Sequence, residues 1–341
     1  MGKPNKQYPV LFLFLLLGIV LCSLKLGAVY LSIDEIVSSL SNYFRGSEDL
    51  TLNERIFLQI RLPRTILGVF VGATLAVGGV LMQALFRNPL VEPGLVGTSS
   101  GAAFGAAFYF VMGAVFNFST GMWSLPLAAC LGGILSTALV FLLARSKETG
   151  KSSIVGLLLT GIAVNALFMS GVGFLSYIAR DPQARSIVFW NLGTLSGANW
   201  QAVILIGATT ILGIAIALAF AKQLNALMLG EEEAQYLGVD VRKLKWIVLL
   251  INVCMVAVAT AFVGVISFIG LIVPHLLRMM NGSENRNLIL NGALLGSILL
   301  CFSDFAARML LRPAELPIGI VTSMIGVPVF IHLLRRKNYY F

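Results

Sequence analysis

Few residues in this sequence could do chemistry, and most of them stand at the ends of apolar runs. Gly150-Lys151-Ser152 has the closing residues of a phosphate-binding loop. The Walker pattern needs a glycine five positions before Gly150 and a strand ahead of the loop. Arg145 holds that position and an apolar run precedes it, so a nucleotide site in this chain is not expected. The four cysteines, Cys22, Cys130, Cys254 and Cys301, lie inside apolar runs without CxxC or Cys/His spacing. That argues against a disulfide framework or a zinc site. With only His275 and His332, a haem- or metal-ligating cluster is not expected either. No HExxH or catalytic carboxylate pair is present, so the sequence does not read as an enzyme.

Charge is concentrated in a few short motifs instead. Arg61-Leu62-Pro63-Arg64 sits just before an apolar run, on what the charge pattern makes the outer side. Two arginines there run against the positive-inside rule. They either snorkel to lipid headgroups or receive acidic groups of an external partner. Arg308 stands near the same end, four residues after Asp304, at the spacing of an intrahelical pair. Leu229-Gly230-Glu231-Glu232-Glu233-Ala234-Gln235-Tyr236-Leu237-Gly238 reads as a short helix bracketed by glycines, either solvated or docked into a cytoplasmic partner. Phe86 to Gly97 carries two prolines and two glycines, which interrupt helix in a turn expected to face the cytoplasm. His275 and Arg278 share a helix face, and Glu315-Leu316-Pro317-Ile318-Gly319 reads as a turn that starts the last helix.

The elements that must position these motifs follow from composition. Of 341 residues, 58% are hydrophobic and 11% charged, against about 25% charged in ordinary soluble domains. A membrane-spanning helix takes about 20 mostly apolar residues, and the apolar runs here are continuous, unlike the alternating strands of an outer-membrane barrel. The expected fold class is all-α, a single polytopic transmembrane domain over residues 1–341. Its ten or so helices fall near 9–30, 65–86, 94–116, 122–144, 153–178, 200–221, 245–267, 271–281, 288–311 and 317–334. The first run is too long for a signal-peptide core and no cleavage site follows it, so it is expected to be retained. The net charge of +9 gathers in short loops, as at Lys3, Lys6, Arg87, Arg145, Lys147, Lys151, Lys222, Arg242, Lys243, Arg336 and Lys337. That sets topology, with both termini cytoplasmic, and does not indicate nucleic-acid binding.

RLPR at 61–64, MQALFRNPL at 82–90, EPGLVG at 92–97, LGEEEAQYLGV at 229–239, SFIGLIVPHLLR at 267–278 and ELPIG at 315–319, in this order, resemble the FecCD-type permease subunits of ATP-binding-cassette importers for iron complexes and vitamin B12. The resemblance covers nearly the whole chain. It implies a type II importer permease of the bacterial inner membrane, paired with a second copy of itself. Two cytoplasmic ATPase subunits would hold ATP and Mg, with no cofactor in this chain. An external binding protein would deliver an iron–siderophore, haem or cobalamin.

Residue by residue, the resemblance makes Arg61, Arg64 and Arg308 the docking points for that binding protein. Residues 229–238, with Leu229, Gly230, Glu231, Glu232, Glu233, Ala234, Leu237 and Gly238, become the coupling helix to the ATPase. Asn88, Leu90, Lys151, Ser152 and Ser153 become a cytoplasmic gate, and Gly161, Asn165, Ser170 and Gly173 line the path. The Glu92-Pro93 form of the turn looks closer to the B12 and haem branches than to siderophore permeases. The main rival, an ion-coupled secondary transporter, usually needs a carboxylate near the membrane midplane, and none is evident among the expected helices.

Overall fold

Lipid offers the backbone no hydrogen-bond partners, so a chain this apolar must satisfy its peptide groups within helices. A computed structural model of the chain describes residues 7–27, 29–44, 50–113, 121–144 and 154–335, and among these no strand occurs. Each of the ten apolar runs is a helix: α1 (Gln7–Lys25), α4 (Leu62–Phe86), α5 (Thr98–Met112), α6 (Ser124–Leu143), α7 (Ile154–Ile178), α9 (Trp200–Ala219), α12 (Val241–Val263), α13 (Ile269–Asn281), α14 (Asn285–Leu310) and α15 (Ile318–Arg335). Between them lie α2 (Ile33–Phe44), α3 (Leu52–Arg55), α8 (Asp181–Asn191), α10 (Ala221–Leu229) and α11 (Glu231–Tyr236). Among the described residues seven helical stretches are long and apolar enough to cross a membrane, while α5, α13 and α15 are shorter.

α4 is the axis of the bundle, buried along nearly its whole length and packed on α14, α13, α9 and α12. Small residues permit this. A Cβ at Gly72 would strike the Gly296 carbonyl of α14, and one at Gly79 the Gly270 carbonyl of α13. Without a hydrophobic drive between helices in lipid, such backbone approach is what holds them together. α14, with 26 residues and so about 39 Å long, links the two ends of the bundle. Asn285 at its start bonds Asn225 of α10 at 2.9 Å, and Arg308 near its finish bonds Ser23 of α1.

Two features depart from the sequence expectation. The second helix does not begin at 65: helix runs without a break over Leu52–Phe86, through a π turn at Ile56–Arg61. Pro63 lacks an N–H, and the wider turn just ahead of it, closed by Leu62 N–H to Phe57 O, lets the chain pass through the proline without ending. The segment between residues 178 and 200, which has no apolar run, holds α8, started by Pro182 in its first turn. The eighth apolar run, short in the sequence and open to beginning in a loop, does follow an irregular stretch over residues 264–268, in which Phe268 takes φ 69°.

Ahead of the long second span and at its start, α2 and α3 are locked by two interleaved capping boxes. Ser32 and Glu35 cap each other, as do Thr51 and Glu54. Asn53 reaches back to Glu35 at 2.8 Å, and Asn42 reaches forward to Glu54 at 2.7 Å. The Ser32 N–H and then the Asn53 amide hold the Glu35 carboxyl below its ordinary range.

Candidate functional site

At one end of the bundle the three arginines that the sequence places on the outer side come together, but none is freely displayed. Arg61, carried on the π turn, is buried. It donates to Leu24 O at 2.8 Å, to Lys25 O at 3.1 Å and to Val29 O. Leu24 and Lys25 close α1, where carbonyls lack intrahelical donors, and Val29 lies in the segment just after it, so Arg61 fastens the end of α1 to the bundle. Arg64 donates Nε and Nη2 to Asp304 Oδ1 at 3.0 and 2.8 Å, and Nη1 to Glu315 at 2.9 Å. Arg308 pairs with Asp304 Oδ2 at 3.0 Å and donates to Ser23 Oγ at 2.6 Å. The i, i+4 pair expected from the sequence is therefore present, inside a larger network. Asp304 is its centre, with 2% of its side chain exposed. Sequence spacing gave its link to Arg308; its link to Arg64, 240 residues away, has no local signal.

The Glu92-Pro93 turn does not stay at the membrane surface. After α4, Arg87 takes a left-handed conformation (φ 48°) and Asn88 Oδ1 accepts the Leu90 N–H at 2.9 Å. The chain then turns back into the bundle. Pro93 O accepts from Asn252, midway along α12, at 3.2 Å, and the Pro93 ring packs near Gly78 and Gly270. Glu92 is half-buried and lines a cavity within the bundle. A carboxylate thus lies within the helical body, where the sequence had suggested none; it was hidden because the turn carrying it reads as a surface loop.

A cavity of about 300 Å³ opens beside this turn, lined among others by Glu92, Ser99, Ser100, Asn165 and Asn191. Asn165 is braced, accepting from Ser100 Oγ at 2.5 Å and donating to Leu95 O at 3.3 Å. Of the other residues expected to line the path, Gly161 abuts Leu95 O, whereas Gly173 faces open space and Ser170 is exposed. Ser99, Ser100 and Asn191 carry no sequence pattern that would single them out. Leu90 is exposed; Lys151, Ser152 and Ser153 lie outside the described residues.

The crossing of α4 and α13 has its own polar repair. Pro274 stands inside α13 and leaves the Gly270 carbonyl without the usual i+4 donor. Gln83, fully buried on α4, supplies one: its Nε2 donates to Gly270 O at 3.3 Å and Leu271 O at 3.2 Å. The Gln83 carbonyl in turn accepts from Arg278 Nη1. Pro274, Arg278 and Gln83 form one unit, which gives a physical role to the PHLLR and MQALF motifs.

At the other end, α10 and α11 meet at Gly230, whose φ of 152° favours glycine. Ala234 is buried against the bundle, while Leu229, Tyr236 and Leu237 are exposed, as are Glu232 and Glu233. Glu231 is tied to Lys245 of α12 at 2.7 Å. The result is a short helix fixed by its base, presenting an apolar and acidic face outward.

The FecCD transport family model matches residues 15–336. The hemin transport system permease protein HmuU of Yersinia pestis is 41% identical over 99% of this chain and 98% of its own length. The vitamin B12 import system permease protein BtuC of Vibrio vulnificus is 37% identical over 92% of each chain. An inward-facing metal-chelate type ABC transporter superposes with a TM-score of 0.84 at 33% identity, covering 97% of this chain and 99% of that one.

Proposed function

The chain belongs to the FecCD transport family, and from that premise we propose that it is the membrane-spanning permease subunit of an ATP-binding-cassette importer carrying a metal chelate. The observation that carries this reading is the end-to-end match to a hemin permease at 41% identity. The multi-pass helical body fits a bacterial cytoplasmic membrane, with both termini inside. On this reading the Arg64 end faces out and receives an acidic binding protein, while α11 faces the cytoplasm and couples to the ATPase. Leu229, Tyr236 and Leu237 would seat in a groove of that subunit, flanked by Glu232 and Glu233. ATP and Mg are held by the ATPase.

A second copy of the chain would lie against α7, which is largely uncovered along its length. The path between the two copies would then be lined by Asn165, Ser170 and Gly173. Small and neutral side chains suit a bulky polar cargo, since tight binding inside would slow its release. Asn88 and Leu90, with Lys151, Ser152 and Ser153, would close the cytoplasmic side.

The test is uptake into proteoliposomes containing the permease, its ATPase and its binding protein. Haem, cobalamin, a ferric siderophore and molybdate compete as cargo. ATP-dependent uptake of one of the first three is expected, with haem the first candidate. Uptake that survives ATP depletion and collapses with an uncoupler would overturn the reading in favour of ion coupling, with Glu92 as the carboxylate to examine.

A further inference from the structure

We propose that an acidic partner docks at the Arg64 end by carboxylate exchange: it lands on exposed Arg312 and displaces Glu315 from Arg64, leaving Asp304 in place. The inference rests on the importer reading and its external binding protein. Four guanidiniums gather here. Arg64 and Arg308 share Asp304, Arg61 stands one turn before Arg64 on the same helix, and Arg312 follows just past the end of α14. Against these four, the described residues of the network supply two carboxylates, Asp304 and Glu315. The excess of positive charge suits an acidic surface.

The four arginines are not equivalent. Arg61 uses its donors on the end of α1, and Arg308 is held by Asp304 and Ser23. Arg312 is exposed; its Nη2 rests on the Met309 thioether, and among the described residues it forms no salt bridge. An approaching carboxylate therefore meets Arg312 without breaking a salt bridge among the described residues.

Arg64 is the second contact, reached by replacing a ligand. Its two carboxylates differ sharply in access: 44% of the Glu315 side chain is exposed, against 2% of Asp304. An incoming carboxylate can take the place of Glu315 at Arg64 Nη1 while Asp304 keeps Nε and Nη2. The guanidinium is thus pre-oriented, which lowers the ordering cost of association. The turn that carries Glu315 need not move, because backbone bonds fix it independently. Leu316 N–H donates to Ala307 O, Ile318 N–H to Gly193 O and Gly319 N–H to Leu192 O, at 3.1, 3.1 and 2.8 Å. The exchange therefore acts on the Glu315 side chain and leaves its backbone bonds intact.

The experiment measures association of the purified binding protein with the permease–ATPase complex in nanodiscs, across a range of salt. Glu315→Gln, which weakens the internal competitor, is expected to tighten binding about threefold to tenfold, and Arg312→Ala to weaken it about twofold to fivefold. Both positions are exposed, and thermal melting of each variant reports that the fold is kept. Binding that is unchanged or weaker in Glu315→Gln would overturn the exchange, as would an unaltered Arg312→Ala. Wild-type association that does not fall with salt would instead sink the docking reading itself, so the two failures are distinguishable.

Discussion

Replacing Asp304 with alanine should do far more harm than removal of any surface charge in this chain. Asp304 has 2% of its side chain exposed and compensates two guanidiniums, whose side chains are 10% and 9% exposed. Its loss leaves Arg308 with Ser23 alone and Arg64 with the half-exposed Glu315. Breaking a buried ion pair from one side costs about 3–5 kcal/mol, because a desolvated charge is left behind. With an unfolding entropy of about 2.1 cal/mol/K per residue over 341 residues, apparent Tm should fall by about 4–7 °C.

The Glu231–Lys245 pair, with 36% and 17% of its side chains exposed, is the internal control. Glu231→Ala should cost less than about 1 kcal/mol, or roughly 1 °C on the same entropy scale. The assay is thermal melting of the purified permease in one detergent. The double variant Asp304→Leu/Arg308→Met sharpens the test. It leaves Arg64 balanced by Glu315, and apolar replacement of a buried pair is close to neutral, so it should be more stable than Asp304→Ala. A single variant as mild as Glu231→Ala, or a double variant worse than the single, would refute the argument.

Other outcomes follow from the same geometry. Gln83→Leu removes the donor to the Gly270 and Leu271 carbonyls and the acceptor for Arg278; it should destabilise by about 2–4 kcal/mol, read as a lower melting temperature, whereas an unchanged melt would show that Pro274 needs no repair. Joint replacement of Glu231, Glu232 and Glu233 by alanine should leave assembly intact while reducing transport-coupled ATP hydrolysis; full coupling in that variant would count against α11 as the docking helix. The lowered Glu35 carboxyl gives a pH effect of definite sign. Its contribution is complete above the ordinary glutamate value of about 4.3 and is lost as pH falls through the lower folded value. Limited proteolysis of the α2–α3 segment should therefore be flat from pH 6 to 8 and rise only in stronger acid; a rise near neutrality would contradict it.

The amino-acid order by itself determined the class of this protein, because lipid leaves an apolar chain few options. Ten continuous apolar runs became ten helices, and six motifs in sequence marked the family. The Asp304–Arg308 pair was also legible, since i, i+4 spacing is a property of one helix. What the sequence did not carry was the depth and company of its polar residues. Arg61 and Arg64 read as an exposed outer motif, yet a π turn ahead of Pro63 continues the helix and brings both into the bundle. There Arg61 is occupied by the carbonyls at the end of α1, and Arg64 by acids about 240 and 250 positions later. Glu92 read as part of a surface turn, yet the chain turns back inward to meet Asn252 and Gly270. Gln83 looked like one polar residue in an apolar run until Pro274, on another helix, was seen to leave a carbonyl for it. Local pattern sets which segments are helical, because that is decided by nearest neighbours and the solvent. Which charge is neutralised, and which remains for a partner, depends on distant segments that meet only when the helices pack.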